Sequence, residues 1–251
     1  MQGIILAAGR GSRLGHLTEK KPKSFNKSGK KRYIDTIIDN YIINNIKKIN
    51  IIVGYKKDLF KKIRGKKIYN RKWQSSNIFY SLSRAEKILK SDTCIVSYSD
   101  IIYDKEAIKL LVKESGDIVI LNNINWKKIW KIRFKNPLDD LENFNYSKSI
   151  EGNFLTKIGG KVKSMSLIKG QFAGLFKISP HGWEIISEFI KTNKIDINNL
   201  DITSFFSKLV KKDKKIIKVV NYNKSWFEID TLTDFKNYKI YKSKKNSISK
   251  S

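Results

Sequence analysis

Two glycines, two arginines and a lysine near the amino end carry the clearest chemical signal in the chain. The apolar run Ile4-Ile5-Leu6-Ala7-Ala8 opens into Gly9-Arg10-Gly11-Ser12-Arg13, and Lys21-Pro22-Lys23 follows, with Lys23 ten residues beyond Arg13. A short apolar run ending in glycines reads as a buried parallel strand that breaks into a loop whose backbone N–H groups can approach an anion closely. Cations on both sides of such a loop suit a triphosphate. The P-loop string is absent, and the dinucleotide fingerprint fails at its third glycine, where Leu14 stands. Alone, the Gly-x-Gly pair is equally a tight turn.

The wider spacing is more specific. Gly9-x-Gly11-Ser12-Arg13-Leu14, then Leu17-Thr18, then Pro22-Lys23 resembles the amino-terminal signature of the sugar-nucleotidyltransferase superfamily, with His16 where that pattern has proline. The resemblance implies that Leu6, Ala8, Gly9, Gly11 and Ser12 wrap a nucleoside triphosphate and that Arg13 and Lys23 are the catalytic cations on its phosphates. It also implies a metal pair. Asp100 follows the run Cys94–Tyr98, Asp230 sits in Trp226-Phe227-Glu228-Ile229-Asp230, and both match the superfamily's two metal-binding aspartates in order and surroundings. The cofactor would be Mg²⁺, held by these carboxylates and by substrate phosphates. Without the resemblance, Asp100 is equally a turn or cap residue and Asp230 a helix N-cap.

Later segments resemble a narrower group. Ser76-Asn77-Ile78-Phe79-Tyr80-Ser81-Leu82 is similar to a segment of bacterial phosphocholine cytidylyltransferases that lies beside the base and ribose, which implicates Asn77 and Ser81 in nucleotide binding. For Asn77 a plain N-cap is the competing explanation. Trp126, Trp130, Arg133-Phe134, the stretch Asn136–Phe144 and Gly170-Gln171-Phe172-Ala173-Gly174-Leu175 resemble the same cytidylyltransferase-like group, which includes phosphoglutamine cytidylyltransferases. Such matches run from about residue 2 to about residue 238. Together they imply transfer of CMP from CTP to a small phosphorylated acceptor, with release of diphosphate. They also imply work in cell-surface polysaccharide biosynthesis.

The acceptor side is expected to involve Trp126, Trp130, Arg133, Lys161 and Gln171. Trp126 and Trp130 are spaced to share a helix face, where paired indoles can hold a quaternary ammonium, although such a pair is also a common core or lid stripe. Asp139 and Asp140 suit an amine. Arg133 suits a carboxylate or phosphate, and Lys161 suits a phosphate unless it is merely a solvated lysine. Phosphocholine, aminoethylphosphonate and phosphoglutamine all remain open as acceptors. His16 and His181 are bystanders, because an anionic phosphate oxygen needs no general base.

These residues require a framework that brings them together. Strands are predicted at Ile4–Leu6, Ile49–Val53, Lys67–Tyr69, Thr93–Tyr98, Ile118–Asn122, Lys161–Leu167, Phe172–Ile178 and Ile216–Val220. Amphipathic helices are predicted at Tyr33–Lys47, Asn77–Leu89 and Asp104–Glu114. This alternation predicts an α/β fold with a doubly wound, mainly parallel mixed sheet, the Rossmann-like fold that the resemblance implies. One domain is expected over 1–241, with an acceptor-side insertion at about 123–170 and a basic flexible tail at 242–251. A homodimer is left open.

Composition narrows the function classes. The chain has 251 residues, a formal charge of +29, 40% apolar residues and one cysteine, Cys94. It is long enough for a full α/β core, and it carries no apolar run long enough to cross a membrane and no signal-peptide pattern, so a cytoplasmic location and no membrane partner are expected. One cysteine excludes an internal disulfide, and its apolar surroundings suit an inert buried thiol. The lysines are dispersed rather than gathered into a groove, so no specific nucleic-acid partner is expected. The alternatives are a sugar-1-phosphate nucleotidyltransferase, a nucleic-acid-binding protein on a degenerate enzyme scaffold, and a nucleotide-binding module without turnover.

Overall fold

The computed structural model describes the backbone of residues 1–248 and the side chains of residues 1–242. The first half runs β1 (Gln2–Ala7), β2 (Lys27–Ser28), β3 (Lys31–Arg32), α1 (Tyr33–Ile43), β4 (Ile49–Val53), β5 (Lys66–Tyr69), α2 (Ile78–Ser83), α3 (Glu86–Leu89), β6 (Cys94–Tyr98), β7 (Ile101–Tyr103) and α4 (Glu106–Lys113). The second half runs β8 (Ile118–Asn123), α5 (Trp126–Arg133), β9 (Glu142–Ser149), β10 (Gly152–Lys161), β11 (Gln171–Ile178), α6 (Pro180–Thr192), α7 (Ile202–Lys212), β12 (Ile217–Tyr222), β13 (Trp226–Glu228) and α8 (Leu232–Ile248).

Nine strands form one sheet in the order β5-β4-β1-β6-β11-β8-β12-β10-β9. Parallel ladders join β5, β4, β1 and β6, and another joins β8 to β12. β11 runs antiparallel between β6 and β8, and the β9–β10 hairpin closes the far edge. The expected doubly wound mixed sheet is therefore the fold. Helices cover both faces, which explains the unbroken apolar run of β1: Ile5 and Ala7 pack with Ile34, Ile37 and Ile38 of α1, whereas Ile4 and Leu6 pack with Phe79 and Leu82 of α2. Because β4 and β6 flank β1 on opposite sides, the winding reverses there. A crevice opens at such a reversal, beyond the carboxyl ends of the strands.

Some boundaries differ from the sequence reading. Residues 161–167 are not a strand: β10 ends at Lys161 and a 3₁₀ turn spans Met165–Leu167. Gly159 and Gly160, at φ 76° and 74°, make a bulge inside β10 just before that end. The 123–170 region is thus built into the sheet as its edge hairpin and α5. The first helix stops at Ile43, where Asn45 takes a left-handed φ of 62°. The described part of the 242–251 tail continues α8 as helix to Ile248, and residues 249–251 lie outside the described residues. Among the described residues no helix is long and apolar enough to cross a membrane.

Candidate active site at the carboxyl end of the sheet

The glycine loop leaves β1 at the winding reversal. Gly11 is left-handed at φ 74°, and a Cβ on it would lie 2.7 Å from Lys23 Cδ and 2.9 Å from Lys23 Cβ. Glycine is therefore required there both for its backbone and to make room for the lysine. Leu14 is fully buried beneath the loop, and the Thr18 hydroxyl donates to the carbonyls of Gly11 at 3.0 Å and Gly15 at 3.2 Å, which closes it. Extended Pro22 then leads into a 3₁₀ turn beginning at Lys23.

A second device brings the two acids together. β7 and β13 form a separate antiparallel pair with Ile101 opposite Glu228, and the Ile229 N–H donates to the Asp100 carbonyl at 3.0 Å. Asp100, just before β7, and Asp230, just after β13, consequently stand at the same end of this ladder. Lys23 Nζ hydrogen-bonds Asp100 and lies 3.5 Å from Asp230 Oδ1, while Arg13 also pairs with Asp230. Burial works against the Lys23 charge, yet Asp100 and Asp230 more than offset it and hold the lysine pKa above its ordinary value. Asp100 Oδ1 is buried and has no hydrogen-bond partner. An acceptor oxygen left bare in that position, next to a second carboxylate, fits a hard cation. Two carboxylates could not enclose such a cation by themselves, so a hard divalent ion held there would draw its other ligands from phosphate and water.

These groups line a cavity of about 500 Å³ that runs from the loop past Asn77 and Ser81 to β9 and β13. One wall is aromatic: Trp130 of α5 stacks on Trp226 of β13 with planes 1° apart and centroids 5.8 Å apart. The far end is acidic. Asp140, Glu142 and Asp201 line it, Glu228 stands close enough to Lys23, Asp100 and Asp230 to interact with their charges, and the cations lining the cavity are Arg13 and Lys23, beside those aspartates. Burial pushes Glu228 up to about 7 against the pull of Arg133, with Asp100, Asp230 and Asp140 adding to the rise. Burial likewise raises Asp140 and Glu142, opposed by Arg133 at Asp140 and by a Thr203 hydrogen bond at Glu142. Burial would raise Asp201 too, but hydrogen bonds from Ser204 and Thr203 outweigh it and lower its pKa.

A left-handed glycine loop and two converging aspartates thus meet at the winding reversal of this fold. Residues 2–128 match the family model described as Nucleotidyl transferase. The chain belongs to that family. Along its length this nucleotidyl transferase is 29% identical to a Campylobacter jejuni protein named CTP:phosphoglutamine cytidylyltransferase, over 93% of this chain and 97% of the relative. Two solved structures share the fold. The CTP:phosphocholine cytidylyltransferase of Streptococcus pneumoniae matches with a TM-score of 0.67 at 20% identity, covering 94% of this chain and 96% of that one. The inositol-1-phosphate CTP transferase of T. maritima matches with a TM-score of 0.71 at 19% identity, covering 93% and 90%.

The nucleotidyl transferase cavity gathers Leu6, Ala8, Gly9, Arg13, Lys23, Asn77, Ser81, Asp100, Trp130, Gln171 and Asp230 from the residues singled out in the sequence. Five others stand outside its lining. Gly11 lies behind Lys23, and Ser12 is exposed at the start of the loop's 3₁₀ segment. Trp126 is 2% exposed and belongs to the core, so its face-sharing with Trp130 does not make an acceptor clamp; Trp130 pairs with Trp226 instead. Arg133 is corrected as well. Its guanidinium is consumed inside the protein by Asp234 at 2.9 Å and Glu228 at 2.7 Å, which leaves no fork for an acceptor. Lys161 ends β10, next to the edge strand β9, and is exposed.

Two further residues act differently from their simplest reading. Asn77 is the N-cap of α2, accepting from the Ile78 N–H at 2.7 Å, and it also borders the cavity. Gln171 uses both ends of its amide on the Glu142 backbone, donating to the carbonyl at 2.6 Å, and so fixes the acidic wall. Asp230 is not the cap of α8: Thr231 and Asp234 form a reciprocal capping box there. The sequence reading passed over Glu142, Asp201, Thr203 and Glu228 as site residues. The signals were faint: Glu228 was visible only as a neighbour of Asp230, and Asp201 only as a cap of α7.

Proposed function

We propose that this protein is a CTP-dependent cytidylyltransferase that moves CMP onto the phosphate or phosphonate of a small molecule and releases diphosphate. The observation that carries this reading is the convergence of Asp100, Asp230 and Lys23 beyond β1, in a cavity of about 500 Å³. The choice of CTP rests on the full-length likeness to the Campylobacter relative. In this scheme Arg13 and Lys23 exchange their carboxylate partners for the triphosphate and steady the charge on the departing diphosphate. Asp100 and Asp230 would hold Mg²⁺, which neutralises phosphate charge when bound. An oxygen of the acceptor phosphate attacks the α-phosphorus in line, the bond to the β-phosphate bridging oxygen breaks, and that oxygen leaves with the diphosphate. The nucleophile is already an anion, so positioning supplies most of the acceleration and no proton has to move. Neither His16 nor His181 lines the cavity.

The acidic far end bears on the acceptor. Three carboxylates, Asp140, Glu142 and Asp201, and a stacked indole pair favour a molecule whose end remote from the phosphate is a cation, such as an ammonium group. Phosphocholine, aminoethylphosphonate and phosphoglutamine all carry one; hexose 1-phosphates do not. The test is a mixture of these acceptors with CTP and Mg²⁺, read by mass spectrometry. A CMP adduct of an ammonium-bearing acceptor is expected. An adduct only of a hexose phosphate would transfer the protein to the sugar-nucleotide reading, and tight, salt-resistant RNA or duplex binding without diphosphate release would end the enzyme reading.

A further inference from the structure

The Arg133 side chain, excluded from acceptor binding, lies at the junction of three elements that frame Asp230. Its Nε donates to Asp234 Oδ1 at 2.9 Å and one Nη reaches Asp234 Oδ2 at 3.4 Å, while the other Nη donates to Glu228 Oε2 at 2.7 Å. Asp234 in turn accepts, on Oδ2, the backbone N–H of Asp230 at 3.1 Å, the N–H of Thr231 at 2.9 Å and the Thr231 hydroxyl at 3.0 Å. Both members of the Arg133–Asp234 pair are 1% exposed. One turn earlier on α5, Trp130 stacks on Trp226, two residues before Glu228. The peptide carrying Asp230 is therefore gripped from before, through Glu228 and Trp226, and from after, through Asp234.

We infer that Arg133 is a positioning residue: acting through Asp234 and Glu228, it fixes the Asp230 peptide and so sets where the Asp230 carboxylate stands above Lys23. The inference rests on the cytidylyltransferase reading only for the reaction it serves. A planar guanidinium can fork to one carboxylate while reaching a second, whereas an ammonium is a single point charge. A buried charge triad adds little net stability over a packed apolar core of the same volume, so its effect falls on geometry. It also makes α5 a structural link between the acceptor wall, which holds Trp130, and the peptide of the candidate metal ligand.

Arg133→Lys and Asp234→Asn test this in the full chain. Each is compared with the parent by circular dichroism, by the electron paramagnetic resonance of Mn²⁺ bound with CTP, and by steady-state kinetics. The expected result for a folded variant is Mn²⁺–CTP affinity weakened about 10- to 100-fold, with kcat lowered to a similar degree. KM for the acceptor should change much less, and the weakened Mn²⁺–CTP affinity is the readout that simple loss of folded protein, which lowers apparent kcat alone, does not produce. If Arg133→Lys fails to fold, Asp234→Asn, which keeps the side-chain shape and an oxygen for the Asp230 and Thr231 N–H groups, decides. Folded variants that bind Mn²⁺–CTP and turn over like the parent overturn the inference while leaving the cytidylyltransferase reading intact. A parent that binds Mn²⁺–CTP in an Arg133-dependent way but transfers CMP to no acceptor overturns the reading and leaves the inference standing. A parent that binds no Mn²⁺–CTP overturns both.

Discussion

At Lys23 one ammonium lies within ion-pair reach of both Asp100 and Asp230, and Arg13 shares Asp230. Removing an aimed charge from such a site costs about 10²–10³ in turnover, so Lys23→Ala and Asp230→Asn should lose activity on that scale while keeping the native circular dichroism spectrum. Near-parental kcat in a folded Asp230→Asn protein would remove that aspartate from the mechanism. Gly11→Ala should also impair the site, since its Cβ would strike the Lys23 side chain from a left-handed backbone. The expected readouts are a raised KM for CTP and a stability loss of roughly 1–2 kcal/mol in denaturant titration. At the acidic end, Glu142 is held above the ordinary glutamate value of 4.5, so it loses its charge as pH falls through that raised value. KM for an ammonium-bearing acceptor should therefore climb on acidification before ordinary glutamates protonate, and part of that rise should be missing in Glu142→Gln; an identical pH profile in that variant would take Glu142 out of acceptor binding. The loop and both aspartates were legible in the sequence because motif order and type specify them. Arg133 was not, because residue type cannot reveal that a guanidinium is already consumed by acids some hundred residues away.

Helix α5 shows the same limit at the level of elements. Trp126 and Trp130, whose spacing would put them on one face of a helix, do lie on one helix, but spacing does not say which indole meets the cavity. Trp126 is core, so Trp126→Ala should destabilise the fold by about 3–5 kcal/mol in urea unfolding while leaving acceptor KM nearly unchanged below the transition. A large KM change in a fully folded variant would return Trp126 to the acceptor site. The β-branched runs of β1, β4, β6, β8 and β12 were readable because strands buried on both faces must be apolar throughout. The β9–β10 hairpin was not. Its residues are half polar, and only the alternation of Phe144 with Tyr146 marks the buried face of an edge strand. The short β7–β13 ladder, which brings the aspartates together, has three residues on each side and no local signal that names its partner.

Across the whole molecule the charge is divided: a formal +29 overall, yet a cavity with six carboxylates facing two cations. The dispersed lysines should give weak retention on duplex DNA at low salt that disappears by about 0.3 M, as counterion release requires. Retention that survives such salt would point to a built nucleic-acid site. Cys94, buried in β6, has its thiol pushed up to about 12 by burial and by nearby Asp92. It should ignore Ellman's reagent at about pH 8 in the native state and react fully once unfolded, whereas native reactivity would contradict its burial. The fold was readable from strand and helix alternation, and the reaction class from the resemblance of the loop and the later segments to one family; the acceptor was not, because the acidic and aromatic side of the cavity is assembled from β9, α5, α7 and β13, which lie far apart in the chain. The central claim is that the α-phosphorus of CTP is the centre that transfers. Parallel reactions with CTP labelled at the α- or the γ-phosphate, run with Mg²⁺ and an ammonium-bearing phosphorylated acceptor, test it most directly. The account predicts α-label in a CMP–acceptor product and γ-label in diphosphate; γ-label on the acceptor or in orthophosphate, or α-label that never leaves the nucleotide pool, would contradict it.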